Sequence, residues 1–148
     1  MPHAGLMDEG ALGHEKGPLQ RAKLHIRGGR RRLRQGKISA GIVTLYDAFC
    51  AALEWYCASN ERKKGLIIGA DDNLKDDKTL YEILTRSGVL DGTFNYQEFD
   101  ELVESALYRD NIEIDYENVL KGIESVMTQL GIMPFDEMEL PPEDPSTF

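Results

Sequence analysis

At 148 residues the chain has the size of one domain with one core, and 41% hydrophobic against 29% charged residues excludes a disordered or collagen-like polymer. Seventeen basic against 26 acidic residues give a net charge of −9, unevenly spread. Residues 1–37 carry nine basic and three acidic side chains (+6), and residues 38–148 carry eight and 23 (−15).

In chain order, residues 1–17 show no helical or strand period and hold Asp8, Glu9 and Glu15, so they read as a mobile tail without the apolar run of a secretory signal. From Pro18, which suits a first helical turn, Leu19, Ala22, Ile26, Gly29 and Leu33 form one stripe. Gly28 and Gly29 weaken that helix by about 1 kcal/mol each, unless a neighbour packs closely over them. Gly36 ends it.

Residues 38–60 give the strongest helical pattern. Ile38, Ile42, Leu45, Phe49, Ala52 and Tyr56 make one stripe, and Tyr46, Cys50, Leu53 and Cys57 a second beside it. A helix polar only along Thr44, Asp47 and Glu54 needs neighbours on two sides, which makes it the centre of a bundle. Its length approaches that of a membrane span, but Asp47 and Glu54 in its interior argue for a buried helix of a soluble protein. Cys50 and Cys57 are seven apart, roughly 10 Å along a helix, too far for a disulfide. They read as small core residues in a reducing, cytoplasmic setting.

Past residues 66–70, readable as a strand or a helix end, Leu80, Ile83 and Leu84 mark a helix capped by Asp76 or Asp77 and stopped before Gly88. Asn95 and Glu98 have capping-box spacing, with Phe94 and Phe99 as a staple, so a helix starts near Tyr96 and buries Phe99, Leu102, Val103, Ala106 and Leu107. Asp115 opens a last helix with the face Val119, Ile123, Val126, Met127 and Leu130, ended by Gly131 and Pro134. Residues 134–148, rich in proline and acid, read as an extended tail. The expected fold is all-α: an antiparallel bundle of four to five helices over residues 18–133, flanked by two tails.

The residues Arg21-Ala22-Lys23-Leu24, then Leu33-Arg34-Gln35-Gly36-Lys37, running into Ala40-Gly41-Ile42-Val43-Thr44-Leu45-Tyr46-Asp47-Ala48-Phe49, resemble the opening of HEPN-type domains, the higher-eukaryote and prokaryote nucleotide-binding bundles. Tyr46-Asp47-Ala48 matches their Tyr-x-Ala element. The stretch from Leu107-Tyr108-Arg109 to Asp115-Tyr116 is similar to the segment where such domains place a basic residue before a tyrosine. The likeness covers about the first half of the core. It implies an antiparallel bundle of four or five helices, a homodimer, and either ribonuclease activity or partnership with a minimal nucleotidyltransferase. Ribonuclease members carry a histidine four to six residues after the arginine, whereas Arg109 is followed by Asp110, Asn111, Ile112, Glu113, Ile114, Asp115 and Tyr116. Without that proton carrier, RNA cleavage loses its usual acid and base.

Other constellations dissolve on counting. Around Gly92 a calcium loop would need Val89 as an oxygen ligand. Asp47 and Glu54 lie roughly 10 Å apart, lack the Glu-x-x-His element of di-iron bundles, and suit pairing with the first-helix arginines. His25 has no ligand at metal spacing and reads as a surface histidine. No catalytic residue, metal or cofactor is expected. The remaining candidate is the basic run Arg27, Arg30, Arg31, Arg32 and Arg34, with Arg109 apart from it. As a phosphate site it would use Arg27, Arg30, Arg31, Arg34 and Arg109. The competing and favoured reading is internal neutralisation by acidic neighbours or by an acidic tail, its own or a dimer mate's, since no aromatic interleaves the arginines. The expected function is association without catalysis, as a homodimer. The alternatives are RNA or nucleotide binding through the basic helix, and partnership with a nucleotidyltransferase.

Overall fold

The computed structural model describes residues 9–147. Six α-helices follow one another: α1 Glu9–Arg34, α2 Ile38–Ala58, α3 Asn60–Lys63, α4 Asp77–Arg86, α5 Tyr96–Tyr108 and α6 Tyr116–Gln129. Two 3-10 turns, Glu137–Glu139 and Pro145–Thr147, complete the chain, and no strand occurs among the described residues. The fold is an all-α bundle of five helices plus the single turn of α3.

α1 and α2 form an antiparallel hairpin about Gly36, whose φ of +80° is open to glycine at little cost. The Gly36 and Lys37 amides donate to the Leu33 and Arg32 carbonyls at 3.0 and 2.9 Å and satisfy the end of α1. The hairpin closes tightly because both helices carry glycine at the crossing. A Cβ on Gly29 would stand 2.7 Å from Leu45 Cδ2, and one on Gly41 2.7 Å from Leu33 Cδ2. The missing side chains are thus filled by leucines from the facing helix, the condition under which glycine in a helix is tolerated.

α2 touches every other helix. Ile42, Leu45, Ala48, Phe49, Ala51, Ala52 and Leu53 are fully buried, so a helix long and apolar enough to cross a membrane is enclosed as the core of the bundle. Phe49 lies at its centre, with the rings of Tyr81, Phe94, Tyr96 and Phe99 at centroid distances of 5.2 to 6.0 Å. At the end of α2, Arg62 donates to the Trp55 and Tyr56 carbonyls at 2.7 and 3.0 Å, partners those orphan acceptors need, and lies 3.9 Å from the Trp55 ring centroid.

The later helices start where their caps predict. Asp76 accepts from the Thr79 amide, Asn95 from Glu98 and Asp115 from Glu117. The Phe94 and Phe99 rings meet at 5.5 Å, as a staple requires. Residues 66–70 are neither strand nor helix: the Ile67 amide donates to Ser87 Oγ at 2.7 Å and its carbonyl accepts from Arg86 Nε at 2.8 Å.

Four expectations are corrected. The first helix begins at Glu9 rather than Pro18, interrupted at Gly13 (φ +89°). Gly17 is buried and Glu15 pairs with Arg62 at 3.1 Å, contacts that hold this segment on the α2–α3 corner; of the expected 1–17 tail, residues 1–8 lie outside the described residues. The acidic tail expected over residues 134–148 does not extend away where it is described: Leu140 is buried and the Glu137–Glu139 turn is capped by Asp136. His25 is 1% exposed, not a surface residue. Leu107 is exposed rather than on the buried face of α5, whereas on α6 Val119 packs against the core as expected, beside the more deeply buried Leu120.

Candidate functional site

Lys23, Arg27, Arg30, Arg31 and Arg34 recur at helical spacing along one face of α1, over about 16 Å of helix axis. The C-terminal segment crosses this face. Glu143 bridges two guanidinium groups, with Oε1 3.3 Å from Arg27 Nε and Oε2 against Arg31 Nε. Glu137 pairs with Arg30. Arg27 Nη2 also donates to the Pro141 carbonyl at 2.7 Å, and Lys23 Nζ stands 5.5 Å from the Phe135 ring centroid. Within the same segment Leu140 is 8% exposed, so the segment buries an apolar side chain as well as pairing its charges. Arg32 is half-buried, and burial together with the charge of Arg31 holds its guanidinium below its ordinary value.

Of the five arginines singled out in the sequence, Arg27, Arg30 and Arg31 are thus engaged by the chain's own carboxylates. Arg34 is exposed at the end of the same helix. Arg109 is exposed at the C-terminal end of α5, where its amide donates to the Ser105 carbonyl at 3.1 Å, and stands on another helix from the rest. Partly exposed ion pairs contribute about 0.2–1 kcal/mol each and weaken with salt. Ordering the segment costs conformational entropy against them. The contact is therefore specific in geometry and weak in energy.

A second polar cluster locks α1 to α2. Asp47 receives Arg21 through Nε at 3.1 Å and through Nη2, and faces His25 Nδ1. Burial alone would raise the Asp47 carboxyl, but hydrogen bonds from His25 and Arg21, with their charges, outweigh it and hold it down at about 2. Asp47 is the middle residue of the Tyr-x-Ala element, and its role here is to tie the two helices together.

A third cluster surrounds Cys50. Burial, the nearby charge of Asp77 and a hydrogen bond with it push the thiol up, and burial likewise raises Tyr46 and takes Tyr96 to about 12. Burial also raises the Asp77 carboxyl. All four groups are held in their protonated, less reactive direction, the reverse of what a nucleophilic cysteine needs. Among the described residues no group of three or more His, Cys, Asp or Glu could hold a metal ion.

An open groove of about 430 Å³ lies between α5 and α6, floored by Phe94, Phe99, Leu102, Ile114 and Val119. Exposed apolar side chains stand elsewhere, at Ile67 (62%) in the α3–α4 loop and at Leu107 (64%) and Tyr108 (83%) at the end of α5. Comparison with family models, with curated proteins and with solved structures gave no match.

The tail contacts were foreshadowed only by the charge asymmetry, which predicts that the halves attract without saying which carboxylate meets which arginine. Asp47 was visible as a polar position on an apolar helix, and its partnership with Arg21 fits the expected pairing with first-helix arginines. His25 carried no such signal.

Proposed function

We propose that the protein acts through protein association, without catalysis, as a homodimer of HEPN-like type. The observation that carries this reading is the engagement of Arg27, Arg30 and Arg31 by Glu137 and Glu143. The face is matched in geometry to carboxylates carried on a polypeptide, Glu143 to two guanidinium groups and Glu137 to a third, which favours a protein contact over phosphate. The exposed apolar side chains at Leu107 and Tyr108 supply surface suited to a protein contact. Cytoplasmic location belongs to the same reading, on the strength of the two cysteines, both free thiols.

The test is native mass at about 50 mM and 500 mM salt, with absorbance at 260 and 280 nm across the eluting species. A salt-independent dimer free of nucleic acid supports the reading. Copurified nucleic acid shed by salt would overturn it in favour of RNA or nucleotide binding through α1, and a monomer in both conditions would remove the homodimer.

A further inference from the structure

We propose that the arginine face of α1 is a docking site for an acidic segment of a partner protein, one that carries leucine and proline, and that residues 135–143 occupy it as a displaceable mimic. This deepens the association reading by naming the surface and the partner's chemistry.

The structure displays what such a ligand must supply. Glu143 answers Arg27 and Arg31 together, Glu137 answers Arg30, and the Pro141 carbonyl takes a further Arg27 hydrogen bond at 2.7 Å. Leu140, between them in the sequence, is buried. Spaced carboxylates, a backbone carbonyl acceptor and a buried leucine are together features of a peptide, whereas a nucleic-acid backbone offers phosphates and sugar oxygens and no apolar side chain. The peptide is therefore the occupant that the face fits.

The built-in segment is suited to be exchanged. Its two ion-pairing glutamates act through partly exposed contacts that salt screens, and beyond Ile132, Met133 and Phe135, which anchor it to the core, it runs without α-helix. Being tethered, it competes at the millimolar effective concentration usual for a short linker. An incoming peptide must therefore outbid it, and weakening the tether's hold should uncover the site.

The probe is a fluorescently labelled synthetic peptide with the sequence of residues 135–147, read by anisotropy against full-length protein. The wild type is compared with the triple variant Glu137→Gln, Leu140→Ser, Glu143→Gln and with Glu143→Gln alone, each checked for unchanged far-ultraviolet dichroism. At about 50 mM salt the triple variant should bind the peptide at least tenfold more tightly than the wild type. Glu143→Gln should lie between them, and 500 mM salt should weaken binding by at least tenfold. Adding Arg31→Ala to the triple variant should weaken capture severalfold. Equal affinity for wild type and both variants overturns the proposal. So does equal binding of a scrambled peptide, which would show charge without a seat, or tighter binding of a 12-nucleotide single-stranded RNA than of the peptide. A monomer that captures the peptide keeps this inference while removing the homodimer, so the two failures can be told apart.

Discussion

Replacing Asp47 by asparagine tests the electrostatic link between the first two helices. The side chain is 28% exposed, and a carboxyl held at about 2 rather than at the usual 3.8 stabilises the folded state by about 2 kcal/mol at neutral pH. Asparagine keeps the shape but leaves Arg21 and His25 facing a neutral amide, so Asp47→Asn should cost about 2 kcal/mol at pH 7. The sign of the pH dependence follows from the direction of the shift. A depressed carboxyl stabilises above its unfolded value and loses that contribution as pH falls through its folded value. The gap between wild type and variant should therefore be full above about pH 5, shrink by more than half between about pH 4.5 and 2.5, and approach zero below about pH 2. Urea unfolding followed by far-ultraviolet dichroism across this range measures it, because the other carboxyls titrate alike in both proteins. A gap under about 0.5 kcal/mol at pH 7, or one that stays constant down to pH 2.5, would refute the reasoning.

Gly29→Ala should destabilise the fold by about 1–2 kcal/mol in thermal or urea unfolding, because the added methyl meets buried Leu45 at 2.7 Å and overpacking outweighs the gain of about 1 kcal/mol in helix propensity. Combining it with Leu45→Ala should cost less than the two single changes added together. Asn95→Ala removes the acceptor of the Glu98 amide and should cost about 1 kcal/mol without changing native helicity. In the native protein at pH 8, Cys50, 6% exposed with its thiol pushed up, should resist alkylation while it reacts freely in urea; mass spectrometry after iodoacetamide reads this site by site.

Much of the fold was legible because its signals are local. Asp76, Asn95 and Asp115 each act within three residues of themselves, so their caps could be located from spacing alone. The two stripes of α2 demanded neighbours on two sides, and the helix is buried accordingly. What was hidden depends on distant residues. His25 lies in a basic stretch and reads as surface until α2 brings Asp47 over it. The proline- and acid-rich composition of residues 134–148 speaks against an α-helix, and none occurs there among the described residues, but Leu140 alone cannot announce that it is buried. Gly29 stood between the two cases, since its cost was readable and its compensation by Leu45 was not.

The clasp between α1 and the C-terminal segment also sets an order of events at the ribosome. Glu143 follows Arg31 by 112 positions, and at 5–20 residues per second its synthesis lags by roughly 6 to 22 seconds. The α1–α2 hairpin can close long before then. Throughout that interval the arginine ladder is without Glu137 and Glu143 in an environment crowded with ribosomal RNA, so this one face is at its most adhesive before the last residues arrive to cover it.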